Sequence, residues 1–373
     1  MTVLLIGSIN NDTWRLQQFF KRMTLTGVHY YIDCDELFTQ HTTSFYASVQ
    51  LIVYDANLHT RNLEQHGREI ERLIAHFQAP ILLSTTYHQP ILLDRIFEFG
   101  IFDVLLKPFD YMHVKIRVQV ALQYAKEAAL RKQHEHKLKQ DLAIAKDIQK
   151  NALTPPLVNN VVECHGMYVT SQSLGGDMYC WYRINDDLTA IMLYDVMGHG
   201  VAAALVTMSI RSLLKGIMTK LIDPVAVINE LNRQIHELFT TDDIDDFLVT
   251  AIYLLIDRKN QTLQYVNASH TTGILFGKYG ETVTLTSNTA ILGLFPTIKT
   301  QAKTIRLTGW HRIILYTDGL LHIQQNKHAI FSFFYQYASL PNHYALRKFS
   351  EKYELSYQYF EDDVTIVSIT ITL

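Results

Sequence analysis

The chain has 373 residues, with 33 Lys and Arg against 36 Asp and Glu for a formal charge of −3. That length suits two ordinary domains plus a connector, and 48% hydrophobic with 18% charged residues argues for buried cores and against disorder. The near-neutral balance lacks the basic surplus expected for nucleic acid or an anionic membrane as partner. The opening MTVLLIGSIN has neither the basic start nor the long apolar run of a signal peptide, so a cytoplasmic location is expected. Cys34, Cys164 and Cys180 are odd in number and lack CxxC spacing, which points to reduced packing residues.

From residue 1 to 110, apolar runs at 3–6, 28–32, 50–54, 80–84 and 102–106 alternate with helical spacing at 12–23 and 62–77. This predicts a doubly wound α/β domain on a parallel sheet of five strands. Its crevice then lies at the carboxyl ends of the strands, at Gly7, Ser8, Asp55, Ser84 to Thr86 and Lys107. With Asp55 ending the third strand, Thr85 after the fourth and Lys107-Pro108 after the fifth, the segment resembles a response-regulator receiver. The resemblance implies an aspartyl phosphoacceptor at Asp55, phosphoryl contacts from Thr85 and Lys107, a histidine kinase or other input protein as partner, and a peptide bond before Pro108 that is often cis. Receivers hold magnesium with two acidic residues where this chain has Gly7 and Ser8. Two readings of Asp55 follow: a working phosphoacceptor, or a strand-end residue of a pseudo-receiver that signals by binding or dimerising. The missing acidic pair favours the second.

Residues 111–155 form the connector. Up to residue 153 they contain no Gly or Pro and are rich in Ala, Lys, Gln, Glu and Leu, which predicts one long helix stopped by Pro155-Pro156. Ile116, Val120, Tyr124, Leu138, Leu142, Ala145 and Ile148 recur at spacings of three and four, compatible with a homodimeric coiled coil, although Arg131 to Lys137 interrupt the seam. The alternative is a solvated helix packed on its own domains.

Residues 156–373 are predicted to be an α+β layered domain of two β-sheets flanked by helices, from strand-like runs at 161–170, 188–195, 247–257, 262–268, 272–277, 281–286, 311–317 and 363–372. Two helices are expected, at 200–216 and at 223–239, the second capped by Asp223 with Pro224 behind it. Acidic residues recur at strand ends, in Gly175-Gly176-Asp177, Asp195-Val196-Met197-Gly198-His199-Gly200, Thr317-Asp318-Gly319 and Asp362-Asp363-Val364-Thr365. A buried carboxylate is strongly unfavourable unless it meets a cation or donors, so four such ends invite hard divalent ions.

Singly, each motif is an ordinary turn sequence. In this order, and joined by Asn267-Ala268-Ser269-His270, Ile291-Leu292-Gly293-Leu294 and the upstream phrase DLAIAKDIQKNALTPP, they resemble the PPM-type serine/threonine phosphatases of the SpoIIE and RsbU group over residues 140–373. The resemblance implies a metal-dependent protein phosphatase with two Mg2+ or Mn2+ ions. Asp177, Asp195 and the Val196 carbonyl would hold one ion or bridge two, Asp318 and Asp362 would complete the second, and Asp363 is a weaker ligand candidate. It also implies hydrolysis by activated water with no protein nucleophile, and a phosphorylated anti-anti-sigma (STAS-type) regulator as substrate. His199 is read as shaping its turn, with leaving-group acid as the less favoured role. Relatives carry Gly where Ser269 stands and differ at Met178, Cys180 and Met197. A cyclic-dinucleotide synthase is set aside because Met178 and Tyr179 replace the pair that would follow Gly-Gly-Asp.

The cluster Asp242, Asp243, Asp245 and Asp246 reads as a solvated loop. The seventeen histidines, lacking an HExxH pair, read as surface or core residues, and Trp14, Trp181 and Trp310 as packing residues. A scaffold that has lost turnover is the competing function. The first domain and connector are expected to control catalysis by setting the pose of the helices after Gly200.

Overall fold

A computed structural model describes residues 2–7, 10–25, 27–40, 43–56, 63–86, 97–239, 247–323, 327–338, 340–355 and 360–373. Ser8 and the cluster Asp242, Asp243, Asp245 and Asp246 lie outside these. The chain divides into two compact units, Met1–Leu138 and Lys139–Leu373.

In the first unit, β1 (Thr2–Ile6), β2 (Gly27–Tyr31), β3 (Val49–Asp55), β4 (Ile81–Thr86) and β5 (Asp103–Lys107) form one parallel sheet in the order β2-β1-β3-β4-β5. That is the doubly wound order with its crevice beside β1 and β3. Both faces are covered: Leu4, Ile6, Tyr54 and Leu83 pack to one side with Ile70 and Leu73, and Val3, Leu5, Val53 and Leu82 to the other with Leu16 and Phe20. This double burial explains the unbroken apolar runs. Helix Asn11–Arg22 starts one residue earlier than its spacing suggests, because Asn10 caps it by accepting from Asp12 N–H and Thr13 N–H. Helices Cys34–Gln40 and Thr43–Ser48 were not expected; both are shorter than two full heptads and carry little periodic signal. Trp14, expected to pack, is exposed. The Lys107–Pro108 bond is cis.

The connector is a single helix, Tyr111–Ala152. Val114, Val118 and Ala121 bury in the core of the first unit, whereas Ile116, Val120, Tyr124, Leu138 and Ile148 are exposed.

The second unit stacks two antiparallel sheets between two helical layers. The first sheet runs β14 (Lys303–Arg306), β11 (Thr262–Ala268), β10 (Val249–Asp257), β9 (Leu188–Val196), β8 (Asp177–Arg183). The second runs β13 (Thr282–Leu285), β12 (Gly273–Gly277), β15 (Trp310–Tyr316), β16 (Val364–Thr372), β7 (Val162–Val169), β6 (Leu157–Val158). Their inner faces meet through Trp181, Ile191, Leu193, Ile252 and Leu254 against Cys164, Ile313, Leu315, Val367 and Ile369. The outer face of the first sheet carries helices Val201–Leu221 and Pro224–Phe239, the latter capped by the Asp223 carboxylate accepting from Ala226 N–H at 2.9 Å. Val201–Leu221 is long and apolar enough to cross a membrane by length and composition, but Ala203, Val206, Ile210 and Leu214 pack it into this core. The outer face of the second sheet carries helices Lys327–Gln336 and Asn342–Lys352. These two, the short helix Gly319–Ile323 and strand β8 depart from the sequence expectation.

Candidate active site

Two sheets deliver the acidic residues to one place. Asp177 opens β8 and Asp195 lies near the end of β9, and the ladder sets them directly opposite each other. Asp318 follows β15 and Asp362 precedes β16, neighbouring strands joined there by Thr317 N–H donating to the Thr365 carbonyl at 3.1 Å. Gly319 permits the close approach of these two loops, since a Cβ there would overlap the Asp363 carbonyl oxygen.

Asp177 is the most enclosed of the set. The hydroxyls of Thr317 (2.7 Å) and Thr365 (2.6 Å) both donate to its Oδ2, which fixes the carboxyl and leaves Oδ1 for other contacts. Burial foremost, then the charge of Asp195, raises its pKa well above the carboxylate range, while the two threonines oppose the shift. Asp195 is pushed up to about 7 by burial, then by Asp318, Asp362 and Asp363, against a hydrogen bond from Asp177. Burial and Asp362 raise Asp318, with His322 opposing. A group of carboxylates each raised by burial and by its neighbours is an excess of negative charge that a divalent cation would relieve. The donor set fits a hard ion, since all of its atoms are oxygen. Gly176 adds to the fit: a Cβ there would stand 2.7 Å from the Val196 carbonyl oxygen, so only glycine leaves that oxygen uncovered.

Asp363 has other partners. Its Oδ1 accepts from Ser171 N–H at 2.7 Å and its Oδ2 from Gly176 N–H at 2.7 Å. The weaker ligand candidate is therefore engaged as a clamp that ties the loop before β8 to the start of β16.

Three contacts absent from the sequence reading hold the Gly175-Gly176-Asp177 block. Gln149, buried in the last turn of the connector helix, donates through Nε2 to the Gly175 carbonyl (2.7 Å) and accepts Gly175 N–H through Oε1 (3.1 Å). Thr207 of helix Val201–Leu221 donates to the Gly176 carbonyl at 2.6 Å. Arg211 of the same helix donates to the Ala152 carbonyl at 2.8 Å, where the connector ends. The sequence signal for Gln149 was the phrase DLAIAKDIQKNALTPP, which contains it and was quoted without giving it a role.

His199 is exposed and pairs through Nδ1 with Gln172 at 2.8 Å. The Asn267 to His270 block is a structural turn: Asn267 Oδ1 accepts His270 N–H at 2.8 Å, and burial pushes the His270 ring down to about 3, so it is neutral. Leu292-Gly293 is fixed to helix Pro224–Phe239 by Gly293 N–H donating to Asn232 at 3.0 Å.

In the first unit, Asp55 is enclosed at the end of β3. Lys107 Nζ lies 2.6 Å from its Oδ1 and 3.6 Å from Asp12, and Ser84 donates to the same oxygen at 2.9 Å. Ser84 rather than Thr85 touches Asp55, because the ladder pairs Asp55 with Ser84 and the next residue points to the opposite face. Thr85 is buried with its hydroxyl unpartnered. A Cβ on Gly7 would lie 2.5 Å from the Asp55 Cβ, so the end of β1 is packed against Asp55 where receivers place an acidic side chain.

Residues 185–372 match the family model described as stage II sporulation protein E, SpoIIE. Phosphoserine phosphatase RsbP of Bacillus subtilis (strain 168) is 38% identical over 183 residues, 49% of this chain and 45% of that protein. Phosphoserine phosphatase RsbU of the same organism is 21% identical over 221 residues, 57% of this chain and 64% of that protein. The chain thus spans about half to two thirds of the length of these curated relatives. Among solved structures, the SiaA-PP2C domain of Pseudomonas aeruginosa superposes with a TM-score of 0.55 at 18% identity, covering 64% of this chain and 98% of that one. The second unit therefore has a PP2C-like α+β fold, and with its family model matched over half of the sequence, the chain belongs to the SpoIIE family.

Proposed function

We propose that residues 156–373 are a metal-dependent phosphatase that removes phosphate from serine or threonine of a partner protein. The observation that carries this is the convergence of Asp177, Asp195, Asp318 and Asp362 from two sheets, with Asp195 raised to about 7 by burial and by other carboxylates. Asp177, Asp195, the Val196 carbonyl, Asp318 and Asp362 would hold two Mg2+ or Mn2+ ions. When bound, such ions supply a water acidic enough to act as nucleophile near neutral pH and neutralise charge on the phosphoryl oxygens.

The chain's own part is positioning. Thr317 and Thr365 fix the Asp177 carboxyl, Gly176 uncovers the Val196 oxygen, and Asp363 holds the loop that carries both. His199, paired with Gln172, shapes its turn and is assigned no proton transfer. The substrate proposed is a phosphorylated anti-anti-sigma-type regulator, supported by the similarity to two phosphoserine phosphatases, and the proposed location is the cytoplasm.

Control is proposed to enter through the connector helix, whose last turn grips Gly175 by Gln149 and receives Arg211 from the helix after Gly200. The exposed seam from Ile116 to Ile148 supports a homodimeric coiled coil as the state in which that helix works. For the receiver-like domain the pseudo-receiver reading is preferred. Lys107 already pairs with Asp55, and with Gly7 in place of an acidic ligand the carboxylate that approaches the pair is Asp12, itself held 3.6 Å from Lys107. An input protein would then be recognised without phosphotransfer.

The test is Mn2+-dependent phosphate release by the full chain from a phosphoserine peptide and from phosphorylated anti-anti-sigma-type proteins. Release is expected from the parent and not from Asp195→Asn or Asp318→Asn. A parent that binds these partners without releasing phosphate is a scaffold, and release that survives both substitutions places the chemistry elsewhere.

A further inference from the structure

Two of the histidines set aside in the sequence stand together with a glutamate far from the catalytic carboxylates. Along β7, Val162 and Cys164 bury between the sheets, so Glu163 and His165 share the outer face. Helix Asn342–Lys352 packs on that face and brings His343, in its first turn, to 5.5 Å from His165 between ring centroids. His165 Nε2 lies 3.2 Å from Glu163 Oε1, and one ligand atom from each of Glu163, His165 and His343 lies within 4.8 Å of the other two.

The helix start that carries His343 is rigidly held. Asn342 is fully buried: its Nδ2 donates to the Glu163 carbonyl at 3.0 Å, and its Oδ1 accepts the hydroxyls of Ser368 (2.7 Å) and Thr370 (3.0 Å). Its N–H donates to Glu163 Oε1 at 3.3 Å, which orients the carboxylate. Such outer contacts are what fixes a ligand set before an ion arrives.

We propose that Glu163, His165 and His343 form a second metal site, selective for one borderline divalent ion of the zinc class. Two imidazoles and one carboxylate suit such an ion and suit magnesium poorly. Bonds of 2.0–2.1 Å in tetrahedral geometry separate ligand atoms by about 3.4 Å. Glu163 and His165 already stand at nearly that separation, and His343, being exposed, closes the remainder by rotating its side chain.

A plain His165–Glu163 ion pair explains less. It leaves unexplained why His343, from a different element, is brought to the same two side chains. Arg312 also acts on Glu163, but its guanidinium bonds to Thr370 and to the Tyr337 and Leu340 carbonyls. In the ladder Glu163 pairs with Thr370, and Val364, next to Asp363, is six residues away along β16. At strand spacing that is about 20 Å, too far for an ion here to be shared with the catalytic centre.

The experiment is titration of the full chain with Co2+, in excess Mg2+ so that the oxygen-lined centre is filled. One equivalent is expected to give the intense visible bands of four-coordinate cobalt, which Zn2+ removes. His343→Ala, at an exposed position, is expected to fold as the parent does, by its metal-free melting temperature, yet to bind Zn2+ roughly 100-fold more weakly. Glu163→Gln, which keeps an acceptor for Asn342 N–H, should weaken binding in the same direction. Absence of the bands in the parent, or equal bands in a folded His343→Ala protein, overturns the site.

Discussion

At the scale of single residues, the proposed catalytic block depends on groups that no motif advertises. Thr365 sits 188 positions from Asp177 and Thr317 140, so their hydroxyl bonds to one carboxyl oxygen exist only once β8, β15 and β16 are in place. The aspartates themselves were legible as repeated acidic strand ends; the threonines beside them were quoted without a role, because one-dimensional spacing carries no trace of that convergence. Replacing Thr365 by Val removes one of two donors that oppose the raised pKa of Asp177. Activity toward an aryl phosphate with Mn2+ should fall at least about tenfold, the worth of a hydrogen bond to a charged group. The loss should be greater at pH 6 than at pH 8, because ionisation becomes harder; a pH–rate profile measures both. Ser269 offers the opposite case. It takes φ of +54°, a left-handed conformation that suits the glycine of relatives. Ser269→Gly should stabilise the second unit by about 0.5–1 kcal/mol, read as a higher melting temperature. Its longer hydroxyl bond to Thr289, at 3.4 Å, is too weak to offset the gain.

At the scale of elements, β8 was missed because it is covered on both faces, and β6 and β14 because they are short, exposed edge strands with little apolar pattern. In β8, Met178 and Cys180 pack under the helical layer while Tyr179 and Trp181 face the other sheet, so no polar alternation marks it. Helices Lys327–Gln336 and Asn342–Lys352 were missed for another reason. Their Phe333, Phe334 and Phe349 favour strands intrinsically, and the helical state is stabilised by packing on the second sheet. The connector was legible throughout, except for what its last turn does. Gln149→Ala deletes two buried bonds to Gly175 and leaves that glycine's N–H and carbonyl short of partners. The block that carries Asp177 should loosen, and the Mn2+ concentration for half-maximal activity should rise roughly tenfold, as for loss of a supporting contact around a metal ligand. An unchanged metal requirement would show that the connector's grip is mechanical only.

At the scale of the whole molecule, metal, charge and stability are linked. Asp177 and Asp195 have folded pKa values above their unfolded ones, so their contribution to stability is full below about 4 and is lost as pH rises through the folded values, about 7 for Asp195. The metal-free chain should therefore melt at a lower temperature at pH 8 than at pH 6. Added Mn2+ should raise the melting temperature more at pH 8, where protons no longer compete for the same oxygens. Equal stabilisation at both pH values would mean that the ion binds elsewhere. The division into a parallel-sheet unit, a helix and a two-sheet unit followed from the sequence because each has its own period of apolar residues. What the Asp55 crevice does was less legible, since Asp12, from the helix after β1, joins Lys107 there and lies outside the strand-end positions.

The central claim is that four carboxylates from two sheets bind divalent ions together, and direct counting of bound Mn2+ by electron paramagnetic resonance on the full chain tests it. Two equivalents are expected in the parent, and at most one weakly held equivalent when Asp195→Asn and Asp318→Asn are combined. The same stoichiometry and affinity in both proteins would contradict it.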